Sequence, residues 1–203
     1  MNSGSFRTDE IIPAGFIKWK DIDTLFPIVD PVIIIRTSGE NLVKALENGV
    51  SAVPKLEGRF PSISGVRLKF DSSKPESERI TEITVNGKPL NKKKLYTVAT
   101  KRFLYKGKDG FEALMDSELV ADEEHGLVVN TSLISFFKLM IKENSFWYNK
   151  QHVKIKECLE IANNSTGGEY VTKDEDGKDL KYHFYKIFPK VDGRIVDIND
   201  QTE

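Results

Sequence analysis

"PVIIIRTSGENLVKALENG" (31–49) decides the fold. Its first part, "PVIIIRT" (31–37), is a short, nearly continuous β-branched run, which predicts a buried strand. The rest changes period. Thr37 and Glu40 have capping-box spacing, Leu42, Val43, Ala45 and Leu46 form an apolar stripe, and Asn48-Gly49 reads as a helix stop. A strand that runs directly into an amphipathic helix predicts a domain of mixed composition.

The flanking sequence adds strands. "GVRLKFD" (65–71) alternates Val66, Leu68 and Phe70 with Arg67 and Lys69, as a half-buried strand does. "ITEITVNGKPL" (80–90) alternates and then meets Asn86-Gly87, a hairpin turn signal, with "LYTVATKRFL" (95–104) as the returning strand. "TSLISFFKLMIKENSFW" (131–147) places Leu133, Phe136, Phe137, Met140 and Ile141 on one side of a helix suited to packing on a sheet. The fold class expected is therefore α+β, a mixed β-sheet packed with helices.

After Trp147 the texture changes. The expected organisation is a domain over 2–147 and a C-terminal extension over 148–203 that packs on it. The polar, acidic stretch 163–181 reads as an exposed, mobile loop, and "YHFYKIFPKVDGRIVDI" (182–198) as a strand or hairpin.

Composition narrows the function classes. The 203 residues carry a formal net charge of −1, so bulk charge gives no reason to expect a nucleic-acid partner. The single cysteine, Cys158, permits no intrachain disulfide and no all-cysteine zinc site. His125, His152 and His183 lack metal-binding spacing and read as surface residues, so no metal ligand is assigned. No apolar run reaches the roughly 18 to 20 residues of a membrane span. "MNSGSFRTDE" lacks a basic region followed by an apolar one and does not read as a signal peptide.

Seven short motifs stand in order: "NSGSFR" (2–7), "LFP" (25–27), "TSGENLVKALENGV" (37–50), "EGRFPSISGVRLKFD" (57–71), "RITEITVNGKPL" (79–90), "YTVAT" (96–100) and "FLYKGKDGF" (103–111). Together they resemble the C-terminal domain of the 5'-nucleotidase family, the substrate-binding half of a two-domain metallophosphoesterase, over about residues 2–145. The resemblance implies that Asn2 and Arg7, from N-x-G-x-x-R, help bind a nucleotide. An asparagine amide can pair with a base edge, and a guanidinium suits a phosphate or ribose oxygen. It also implies that Phe103 stacks on the base and that Asp109 accepts hydrogen bonds from ribose hydroxyls. The residue types suit those tasks: a flat apolar ring, glycines that let backbone approach, and a carboxylate for a diol. Each has a plainer reading, as a brace of the first turn for Asn2 and Arg7, as core for Phe103, and as an ordinary turn residue for Asp109.

Two positions depart from the family pattern. The second stacking aromatic is replaced by Ile28, which can cover a base but forgoes a stacking gain of roughly 0.5–1.5 kcal/mol. Phe26, two residues away, could compensate if the segment were a strand. Lys108 stands where many relatives have glycine, and would either favour an additional anionic group or point into water.

In the family, hydrolysis uses two divalent metal ions held by an N-terminal domain, and rotation between domains delivers the substrate. This chain has no D-x-H or G-N-H-D/E motif. The resemblance thus implies no catalytic residues here, no cofactor of its own, and two partners: a nucleotide or nucleoside, and the metal-bearing domain. The isolated chain is expected to be inactive. Alternatives are the same scaffold acting on a non-nucleotide phosphate ester, or a non-catalytic binding module. Glycosylation triplets begin at Asn130, Asn163 and Asn164, and the resemblance leans towards an extracellular or surface-associated location.

Overall fold

The computed structural model describes residues 1–142, 168–173, 177–184 and 191–200. The chain divides into two compact units, residues 1–132 together with 192–203, and residues 133–191.

In the first unit, helix α1 (Trp19–Leu25) precedes strand β1 (Val32–Ser38), which leads without a loop into α2 (Gly39–Val50). Then come β2 (Val66–Phe70), β3 (Ile80–Val85), β4 (Lys88–Pro89) and β5 (Leu95–Lys101). A short helix α3 (Arg102–Tyr105) and β6 (Glu118–Ala121) follow, α4 (Val129–Lys142) starts at the unit's edge, and β9 (Ile195–Asp197) closes it. The second unit contains the hairpin β7 (Gly168–Lys173) and β8 (Asp179–Phe184), paired from Gly168↔Phe184 to Lys173↔Asp179. Part of the stretch expected to be a loop is thus a pair of strands. The remaining residues of 143–190 lie outside those described.

Two sheets share one helix. The first has the order β5-β1-β6 and is antiparallel throughout. The second has the order β4-β3-β2-β9, with β9 parallel to β2. From α2, Ala45 joins Ile33, Ile35, Leu104, Phe111 and Leu114 in one core cluster. Leu46 and Val50, one turn apart, join Leu68, Phe70 and Ile83 in the other. Adjacent residues on a helix point about 100° apart, so the broad stripe of α2 serves two cores.

The helix is also held by a charge. Glu47 is buried, and its carboxylate accepts hydrogen bonds from the backbone of Arg79 (3.1 Å) and Ile80 (2.9 Å) at the start of β3. The Arg79 guanidinium returns to α2 and the following turn, donating to the carbonyls of Val50 (2.8 Å) and Val53 (2.7 Å).

Three details differ from expectation. The helix cap is Ser38, whose hydroxyl accepts from Asn41 N at 3.1 Å, because Thr37 is still in the β1 ladder opposite Tyr96. The helix continues through Asn48-Gly49 to Val50, and Ser51 caps it by donating to Asn48 O (2.8 Å). Gly49 serves packing: a Cβ there would lie 3.1 Å from Pro61 Cδ. Finally, Asn86 (φ 50°) and Gly87 (φ 74°) do form a tight turn, but the strand it returns is only Lys88–Pro89. Leu95–Lys101 leaves this sheet and pairs with β1 instead.

Candidate substrate-binding site

The register between β1 and β5 builds the site. Val32 lies opposite Lys101, and Arg102 N donates to Pro31 O at 3.0 Å. The next residues outward are therefore Asp30 and Phe103, and Phe103 N donates to Asp30 Oδ1 at 3.2 Å. Asp30 Oδ2 faces Lys101 Nζ at 3.1 Å, an ion pair between two buried side chains. Lys101 Nζ also lies 5.2 Å from the centroid of the Phe103 ring, within cation–π range. Phe103 is 39% exposed, so the first turn of α3 presents its ring at the surface instead of in the core.

The carboxylate side is held by the N-terminal segment. Residues 2–5 lie along "EGRFP": Asn2 bridges Pro61, Ser3 N donates to Phe60 O (2.7 Å), and Gly4 N donates to Gly58 O (2.8 Å). Gly4 and Gly58 meet backbone to backbone. A Cβ on Gly4 would be 3.1 Å from Gly58 Cα, and a Cβ on Gly58 would be 3.3 Å from Gly4 Cα. This close approach seats Asn2, only 1% exposed, under the loop that follows Phe103.

Asn2 is saturated there. Its Nδ2 donates to Asp109 Oδ2 (2.7 Å) and Gly58 O (2.8 Å), and its Oδ1 accepts from Ser5 Oγ (2.9 Å). Lys101 Nζ lies 3.0 Å from Ser5 Oγ and 3.5 Å from Asn2 Oδ1. Asp109 itself is exposed, in a left-handed conformation (φ 55°, ψ 27°) between Gly107 and Gly110. A second asparagine fixes its backbone, Asn48 Nδ2 donating to Asp109 O at 2.9 Å.

Of the other expected residues, Arg7 ends the same segment and Ile28 lies in the irregular chain after α1. Arg7 is exposed, its backbone N donates to Leu25 O (3.0 Å), and its guanidinium has no ion-pair partner among the described residues. Phe6 packs on Phe26, with ring centroids 5.1 Å apart. Phe26 is buried and Ile28 is 47% exposed, because residues 26–30 follow α1 as irregular chain and strand alternation does not apply. Phe26 therefore belongs to packing with Phe6. Residues 2–7 tie together the "LFPI" element and the Phe103–Asp109 loop.

Sequence reasoning missed Lys101, Asp30, Ser5 and Asn48. The available signal was an acid just before one strand and a lysine ending another, which only the pairing register brings together. A separate cavity of about 300 Å³ near Ser51 and Arg79 contains neither Phe103 nor Asp109. Its Lys55 and Arg59 are both paired with Glu57, holding that carboxyl below its ordinary value chiefly through the Lys55 hydrogen bond. Among the described residues no group of three or more His, Cys, Asp or Glu is placed to hold a metal ion.

A family model described as 5'-nucleotidase, C-terminal domain, matches residues 1–116. The chain belongs to this family. It is 26% identical over 151 residues to a 5'-nucleotidase of Bos taurus, an alignment covering 69% of this chain and 26% of the relative. Among solved structures, it resembles a 5'-nucleotidase precursor from Thermus thermophilus (TM-score 0.63, 28% identity, covering 68% of this chain and 28% of that one). It also resembles the Haemophilus influenzae NAD nucleotidase (TM-score 0.56, 25% identity, covering 68% and 26%). The chain thus spans about a quarter of the length of these relatives. The α+β architecture of mixed sheets packed with helices is that of the 5'-nucleotidase C-terminal domain.

Proposed function

We propose that this 5'-nucleotidase-type domain binds a nucleotide for a phosphomonoester hydrolase, while a separate N-terminal domain carrying two divalent metal ions performs the hydrolysis. The observation that carries the reading is the presentation of Asp109. One carboxylate oxygen is held by Asn2 at 2.7 Å, the backbone oxygen is held by Asn48, and the side chain is still exposed. A fixed carboxylate with acceptor capacity left over suits adjacent ribose hydroxyls. Phe103 supplies a flat face six residues earlier, with Lys101 beneath it.

In this reading Asn2 acts by orienting Asp109, since both its amide hydrogens are engaged within the protein. Arg7 supplies a guanidinium suited to a phosphate oxygen. Ile28 covers the second face of the base without stacking on it. In this reading the domain contributes binding and orientation, and the hydrolysis belongs to the metal-bearing domain.

Calorimetric titration of the chain with adenosine, AMP and ribose 5-phosphate tests the reading. Binding of adenosine and AMP that is lost in Phe103→Ala and Asp109→Ala is the expected result. A second reading follows from the exposed Ile28: a weaker base sandwich suits a sugar phosphate or other non-nucleotide ester. Ribose 5-phosphate binding as tightly as AMP would establish it in place of the first.

A further inference from the structure

Lys101 is a buried cation that touches both halves of this site. Its ammonium lies under the Phe103 ring at 5.2 Å, and it reaches Asp109 through Ser5 Oγ (3.0 Å) and the Asn2 amide. Its counter-ion Asp30 accepts from Phe103 N at 3.2 Å, so the same ion pair also fixes the backbone that carries the ring. We infer that Lys101 is a positioning residue that couples the aromatic and carboxylate halves of the site and so sets recognition of the ribose diol. The inference rests on the nucleoside-binding reading above.

The physical case has three parts. The Lys101 ammonium donates to Ser5 Oγ and Asn2 Oδ1 and is ion-paired with Asp30 Oδ2, which fixes its place. Burial of both charges strengthens their interaction and makes the position costly to vacate. The chain of contacts from Lys101 to Asp109 runs entirely through short polar groups, Ser5 Oγ and the Asn2 amide, with no flexible stem between them. Asn2 Oδ1, accepting from Ser5, is held so that its Nδ2 meets Asp109 Oδ2. The second oxygen of Asp109 is then aimed by groups that Lys101 anchors.

The test compares adenosine with 2′,3′-dideoxyadenosine, which lacks both hydroxyls, by calorimetry on the 203-residue chain. Ser5→Ala leaves the Lys101–Asp30 pair intact and removes the hydroxyl bridge to Asn2, leaving only the longer 3.5 Å contact between Lys101 Nζ and Asn2 Oδ1. It should lower the preference for adenosine by roughly five- to tenfold while leaving dideoxyadenosine affinity within about twofold of wild type. Lys101→Met combined with Asp30→Asn removes both charges together and should weaken both ligands, because the ring loses its support as well. Thermal melting of each variant separates these effects from loss of fold, which would lower the binding stoichiometry for both ligands alike and leave the ratio of their affinities unchanged. A wild-type preference retained within about twofold in both variants overturns the role of Lys101 alone. A wild-type chain that does not distinguish the two nucleosides overturns the diol reading of Asp109, and this inference with it.

Discussion

Gly107, Asp109 and Gly110 all have positive φ (75°, 55° and 81°), so three of four consecutive residues wind left-handed. That winding lifts Asp109 out of the loop while its backbone oxygen turns back to Asn48. A Cβ on Gly110 would meet the Asn48 side chain, which would have to move away from Asp109 O, and a φ of 81° is one that L-residues rarely adopt. Gly110→Ala is expected to cost about 2–3 kcal/mol in urea denaturation and to weaken nucleoside binding together with stability. Asp109→Asn separates the two. Asparagine tolerates the left-handed region, so the melting midpoint should hold, while binding of adenosine falls several-fold as the anionic acceptor is lost. At this scale "GKDG" was readable as a bend with an acid at its crest. The partners that orient the acid were not, since Asn2 and Asn48 come from positions 107 and 61 residues away.

At the scale of elements, α2 is the piece on which both sheets depend, and its buried Glu47 fastens it to β3. Glu47→Ala would leave the N–H groups of Arg79 and Ile80 without their acceptor. A loss of about 2–3 kcal/mol is expected from chemical denaturation, with Glu47→Gln recovering part of it because one amide oxygen still accepts. The strand-to-helix passage was legible because hydrophobic period is local information. Glu47 was not, because a glutamate in a helix reads as solvated until its neighbours are known. The hairpin prediction shows the same limit. Asn86-Gly87 specifies a turn, and the turn forms, but nothing local to "NKKKLYTVAT" says that β5 will join β1 instead of extending β3. Yet that choice places Lys101 beside Asp30. The candidate side chains were therefore readable as residue types, and the contacts that position them were not.

For the whole molecule, the first prediction concerns activity. The 203-residue chain, given AMP and a divalent metal salt, should release no phosphate above the uncatalysed background in a phosphate assay. Rapid release would overturn the division of labour proposed here. The second concerns pH and the return of the chain to the β2 edge. Arg194 donates to the Asp192 carboxylate through Nε (3.0 Å) and Nη2 (2.7 Å), and to Ile63 O through Nη1 (2.7 Å), setting β9 in place. Hydrogen bonding to Arg194 holds the Asp192 carboxyl below its ordinary value. A carboxyl with a depressed folded pKa contributes stability above its unfolded pKa and loses it as pH falls through the folded one. The gap in urea midpoint between wild type and Asp192→Asn should therefore be present at about pH 6 and narrow as pH falls below the ordinary aspartate range of about 4.

β9 has one more consequence. Ser72 N donates to Asp197 Oδ1 at 3.1 Å, joining residues 125 positions apart, and Leu68 N donates to Arg194 O at 2.8 Å. On the ribosome, β2 and β3 emerge long before the strand that covers the open side of β2. Until then that margin offers bare amide and carbonyl groups to any neighbouring polypeptide, so nascent chains stalled before residue 195 should be the ones that chaperones hold longest.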